Sequence, residues 1–208
     1  MNFDILATLI TLGLSLSAAF INAYKIFIKR VEPTLSTWLI FCSATSLSLA
    51  SYLSTANKNF LAAALNGADV FTDVLIILTT VFFAVTRWRI KSFEKYYLLG
   101  LVFIAGFWFF TKDAFHANLL IQALLILAYI PTFHNLIKLK RNTESFTVWG
   151  IILLSTAFSL YPTFNSWQQK GNYLAFIYSV RSFVMISILM VLMLKYYRRN
   201  NRLKPNSF

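Results

Sequence analysis

Two aspartates stand four residues apart in "NGADVFTDVLI", residues 66 to 76, inside a run that is otherwise apolar. Asn66, Asp69 and Asp73 follow an i, i+3, i+7 spacing, which places all three on one side of a helix. Tyr178, Arg181 and Ser182 share a helix face in the same way, in a second apolar run near the other end of the chain. An arginine in a low-dielectric setting favours a carboxylate, a phosphate or a zwitterion over a neutral sugar, through its planar fork of donors. Two carboxylates against one guanidinium leave one in excess, and a buried excess carboxylate is a group that can carry a proton. The same charges would also serve as a static ion pair pinning a bundle together. A lone ionised carboxylate at a bilayer centre costs about 2.5 to 3.5 kcal/mol. Either role therefore requires a partner, and Arg181 is the one expected for Asp69 and Asp73.

The chain that must position these residues is built for lipid. Of its 208 residues 58% are hydrophobic and only 12% charged, and its mean hydropathy is +0.65. A hydrocarbon layer about 30 Å thick needs roughly 20 mainly apolar residues in a helix. Seven runs approach that length: 3 to 27, 34 to 53, 60 to 86, 96 to 112, 117 to 139, 145 to 167 and 173 to 197. They are continuous and do not alternate apolar with polar, so they predict helices and not barrel strands. Counted from residue 60, Asp69 and Asp73 lie roughly 13 to 20 Å deep at 1.5 Å per residue, and Arg181 reaches a comparable depth from the start of the seventh run.

The net charge of +12 sorts by side. The connections after the first, third and fifth runs and the C-terminal tail hold 15 of the 19 basic residues, while the other three connections carry one each: Lys58, Lys112 and Lys170. Basic short loops mark the cytoplasmic side, so the N-terminus is expected outside and the C-terminus inside, in a cell membrane. No folded extramembrane segment remains to bind nucleic acid. The first run has Asp4 and no basic start, and is read as a retained helix and not a cleaved signal. Cys42 is the single cysteine, and His116 (an outer loop) and His134 stand apart from each other, so neither a metal nor another cofactor is expected.

"KRVEPTLSTWLIFCSATSLSL" (29 to 49) lies over "KRNTESFTVWGIILLSTAFSL" (140 to 160) at a constant offset of 111, with identities that include Lys29 and Lys140, Trp38 and Trp149, and Thr45 and Thr156. That register maps the first three runs onto the last three and leaves the fourth as a linker. The expected fold is therefore an all-α integral membrane protein of seven transmembrane helices: two parallel three-helix repeats, 1–92 and 115–208, joined by a linker helix in 93–114. At this point "YIPTFHNLIKLKRNTESFTVWG" (129 to 150) resembles the PQ-loop motif shared by SWEET sugar carriers and lysosomal amino-acid exporters, with Pro131, Lys140 and Ser145 at about the motif's spacing. Thr132 stands where the motif has Gln, and Phe20 and Ile21 where the first copy would carry the Pro-Gln pair. The resemblance implies a small-solute transporter with its site between the triplets. Asn66 then resembles a substrate-contacting asparagine on the third helix, with Tyr178 or Arg181 in the matching place of the second triplet. It also implies proton coupling, as in the exporters.

The remaining polar residues read differently. Ser43, Thr45, Ser46, Ser48 and Ser51, with Ser155, Thr156 and Ser159, are first of all small residues that let helices pack closely. Trp38, Trp88, Trp149 and Trp167 fall near run ends as interfacial anchors. Pro131 and Pro162 are hinge candidates. No lysine lies in the middle of the seventh run, which removes a retinal protein from consideration. The expected partners are the lipid bilayer, a small-molecule solute and protons, with a homo-oligomer left open and no enzymatic role. The competing reading is a non-transporting scaffold or receptor in which Asp69, Asp73 and Arg181 only pin the bundle.

Overall fold

The computed structural model describes residues 3–30, 35–83, 92–140, 142 and 144–202. Within them the regular structure is entirely helical: α1 (Phe3–Phe27), α2 (Leu35–Leu53), α3 (Ala64–Phe83), α4 (Ser92–Thr111), α5 (Ala114–Leu127), α6 (Ile130–Leu139), α7 (Phe146–Lys170) and α8 (Leu174–Arg202). The expected runs appear in order, with the fifth divided into α5 and α6. Arg87, Trp88, Arg89 and Lys91, together with Arg141 and Lys204, lie outside the described residues.

Among the described residues five spans are long and apolar enough to cross a membrane, α5 with α6 counting as one, and the shorter apolar runs Trp38–Leu53 and Lys95–Thr111 belong to α2 and α4. Their outward faces carry large apolar side chains, among them Phe82 at 73%, Phe103 at 70% and Phe110 at 84% exposure. An apolar surface this continuous is unfavourable in water and favourable against acyl chains. Span number and surface together are those of a multi-pass membrane protein.

The helix ends follow from local chemistry. Asp4 sits in the first turn of α1 and Lys25 in its last, each complementing the helix dipole. Lys29 then takes a left-handed φ of 57°, and Arg30 N–H donates to the Lys25 carbonyl while Lys29 N–H donates to that of Ile26, both at 2.9 Å. This is the Schellman stop, made here with lysine in place of the usual glycine. α6 ends in the same conformation at Lys140, φ 50°. Ser145 caps α7 by accepting from Val148 N–H, and also accepts from Lys25 Nζ of α1. α7 closes at Gly171, whose φ of 70° suits a residue without Cβ.

The two prolines act differently. Pro131 occupies the first turn of α6 and has no N–H to give the Leu127 carbonyl, so the ladder is interrupted where α5 ends. Pro162 is buried inside α7, which continues past it to Lys170. Neighbouring hydroxyls bond back into the helix there, with Thr163 donating to the Ser159 carbonyl at 2.8 Å.

α3 packs against both α1 and α2, and α8 against α5, α6 and α7. Two seams join these groups, α1 on α7 and α2 on α5, while α4 lies against α2 and α5. The first seam is polar along its length. Asn165 donates to Asp4 at 2.8 Å at one end, the Ser15 and Ser155 hydroxyls meet at 2.6 Å midway, and Lys25 reaches Ser145 at the other. The apolar core is split around the centre: Ile40, Ile121 and Leu125 on one side, Leu136, Leu189 and Met193 on another. α3 and α8 meet between them.

Candidate functional site

Asn66, Asp69 and Asp73 do share one face of α3, but that face addresses two neighbours. Asn66 and Asp73 turn to α2. In the orientation that satisfies both ends of its amide, Asn66 donates to the Thr45 carbonyl and accepts from the Ser48 hydroxyl, each at 3.1 Å. Thr45 Oγ1 donates to Asp73 Oδ2 at 2.8 Å. Asp69 turns instead to α8, where the Tyr178 hydroxyl donates to its Oδ2 at 2.6 Å.

Arg181 is 8% exposed. Its guanidinium lies over the Tyr178 ring, 4.6 Å from the centroid, and one terminal nitrogen donates to Ser182 Oγ at 3.1 Å. Its Nε is buried without a hydrogen-bond partner. The expected ion pair with Asp69 or Asp73 is not made: among the described residues the one charge pair within 4.0 Å joins His116 and Asp113. The reason lies in helix geometry. Side chains on a helix lean toward its N-terminus, so Arg181 folds back over the residue three positions earlier, and that residue is Tyr178.

The site also holds residues whose roles the sequence did not reveal. Thr45 and Ser48, read above as packing residues, are hydrogen-bond partners of Asp73 and Asn66. On α5, Asn118 donates to the Ser48 carbonyl and to Ser51 Oγ, both at 2.8 Å. Gln122 donates to Ser48 Oγ and to the Asn118 side-chain oxygen, both at 3.0 Å. Asn118 and Gln122 stand four apart in an otherwise apolar stretch, and that i, i+4 spacing was the available signal. Tyr97 of α4 and Tyr129 at the α5–α6 junction are buried within electrostatic reach of Arg181.

A small cavity opens beside this polar centre, between α2, α3, α5 and α8. Ser48, Tyr52, Asn66, Asn118 and Tyr178 contribute to its walls. Its volume of about 10 Å³ is on the scale of a single water.

Pro131 and Pro162 are not part of this cluster; one marks the helix break and the other lies inside α7. His116, expected in an outer loop, lies in the first turn of α5, where Asp113 is the N-cap and accepts from both the His116 N–H and its ring Nδ1. Those bonds hold the exposed Asp113 carboxyl below the usual carboxylate range. Among the described residues no group of three or more His, Cys, Asp and Glu side chains is placed to hold a metal ion. No protein-family model, curated protein or solved structure matches the chain.

Proposed function

We propose that this chain carries a small polar solute, anionic or zwitterionic, across a cell membrane by exposing a central site alternately to its two sides. The observation that carries the reading is Arg181: a guanidinium 8% exposed, with an orphaned Nε and, among the described residues, no carboxylate within 4.0 Å. A buried guanidinium without a carboxylate partner is costly to keep, and intramembrane charges facing a bundle interior are characteristic of solute and proton pathways. Asp69 and Asp73 exceed the single arginine, which suits coupling to protons.

The moving parts in this reading are two parallel triplets, α1 to α3 and α5 to α8, with α4 as linker and a site of the SWEET and PQ-loop kind between them. Three features support it. α3 lies between α1 and α2 as α8 lies between α7 and the α5–α6 pair. The seams α1 on α7 and α2 on α5 exchange under the same twofold relation. Lys29 and Lys140, matched by the repeat, share the left-handed conformation. The distribution of basic residues favours an outer N-terminus and a cytoplasmic C-terminus.

The Thr45–Asp73 bond favours a second reading, a scaffold whose buried polar groups only fasten helices. A thermal-shift screen of the purified protein against amino acids, carboxylates, sugars and nucleosides at two pH values separates them. A ligand at a hundred times its dissociation constant stabilises by about 2.7 kcal/mol. Transport predicts a pH-dependent shift with a carboxylate-bearing solute that Arg181→Gln abolishes while still folding. A folded wild type that responds to none, with Arg181→Gln only unstable, supports the scaffold.

A further inference from the structure

Tyr178 holds two of the three central charges, Asp69 and Arg181, with different parts of one side chain. Its hydroxyl donates to Asp69 at 2.6 Å, and its ring face receives the Arg181 guanidinium at 4.6 Å. Tyr178 is itself 3% exposed, so the phenol has no solvent-filled space to swing into. Without it, nothing in the local chemistry would favour separation. A carboxylate and a guanidinium on facing helices in a low-dielectric interior attract strongly, and their preferred contact is a direct, charge-assisted pair. The guanidinium instead settles for a π face and a neutral hydroxyl, leaving Nε without a partner. Asp69 settles for a phenol.

We propose that Tyr178 is a positioning residue that keeps Asp69 and Arg181 apart, so that the arginine stays available to the anionic group of a solute. In that last consequence the inference rests on the transport reading; the separation of the charges does not. A collapsed Asp69–Arg181 pair would have to be broken before Arg181 could receive a carboxylate, because a guanidinium already held by one carboxylate offers fewer donors to another. The phenol's two contacts are each weaker than that pair and more readily exchanged. Tyr178→Phe retains the ring and loses only the hydroxyl, whereas Tyr178→Ala removes both contacts.

A double-mutant cycle on the full chain in detergent tests this. Asp69→Asn and Arg181→Gln are measured singly and together by equilibrium unfolding, in the wild type, in Tyr178→Phe and in Tyr178→Ala. The expected result is modest coupling in the wild type, where the two charges share Tyr178 and lie within electrostatic reach, with unfolding constants that depart from a simple product by less than about tenfold. In Tyr178→Ala, coupling of more than about tenfold should appear, with Tyr178→Phe close to the wild type. Tyr178→Ser replaces the alanine variant if that one does not fold. Coupling in the wild type as strong as in Tyr178→Ala would overturn the proposal, as would additivity in every background.

The same variants are then screened by thermal shift with glutamate and acetate as probes. A response kept in Tyr178→Phe and lost in Tyr178→Ala, although the latter is folded, is the expected signature; a response equal in all three overturns the role in solute access. Coupling that appears in Tyr178→Ala while no solute stabilises the wild type would uphold the spacer and remove the transport reading.

Discussion

Thr45 Oγ1 donates to Asp73 Oδ2 at 2.8 Å, joining α2 to α3 in the buried interior of the bundle. Asp73 is 5% exposed and Thr45 4%, so no water shares the bond from a bulk phase. Thr45→Val should lower stability by about 0.5 to 2 kcal/mol, the span of values for hydrogen bonds between membrane helices. Adding Asp73→Asn to Thr45→Val should cost less than the sum of the two, because both remove the same contact. Equilibrium unfolding in detergent checks both expectations.

Ser48 meets three side chains: its hydroxyl donates to the Asn66 side-chain oxygen on α3 and accepts from Asn118 and Gln122 on α5. Ser48→Ala strands buried amide donors, at a cost of about 1 to 3 kcal/mol. Ser43→Ala on the same helix is the control. Ser43 is exposed and bonds only back to the Leu39 carbonyl, so its loss should change stability by no more than about 0.5 kcal/mol. Thermal unfolding of the two variants side by side tests the difference.

Lys29 and Lys140 end their helices with φ of 57° and 50°, a conformation that costs an L-residue with a Cβ about 1 to 2 kcal/mol. Glycine removes that strain and adds back some unfolded-state entropy. Lys29→Gly and Lys140→Gly should each stabilise by about 0.5 to 1 kcal/mol, and Lys29→Ala should not. A rise in Tm for the glycine variants alone is the expected outcome.

Asp113 caps α5 and is held below the usual carboxylate range, first by the His116 N–H and then by the His116 ring. A carboxyl whose folded pKa is depressed contributes stability that is fully present above its unfolded value, about pH 4, and is lost as pH falls through the depressed folded value. Asp113→Asn, which preserves a capping oxygen and removes the charge, should melt below the wild type at pH 7. The gap should close as the pH is lowered past 4. Paired melting curves across that range give the test.

Several features of this protein were decided within short stretches of sequence. The apolar helices and their order follow from run length and hydropathy, because transfer of an apolar helix into lipid is nearly a sum over its own residues. The face shared by Asn66, Asp69 and Asp73 follows from helical periodicity alone. Pro131 marked an irregularity in the fifth run, since the missing N–H is a local fact.

Partner choice was decided elsewhere. Counted along their apolar runs, Asp69, Asp73 and Arg181 are expected at comparable depths, and opposite charge made a direct pair the natural expectation. Whether two such groups meet depends on the rotation of each helix about its axis and on what leans between them, and neither is written in the spacing along one helix. Tertiary packing turned Asp73 to Thr45, gave Asp69 the Tyr178 hydroxyl and laid Arg181 on the Tyr178 ring. It likewise made Ser48, one small residue among many, the meeting point of three helices. The sequence by itself determined which polar groups sit within long apolar helices; only the tertiary structure decided which of them touch, because a contact is a property of two helices at once.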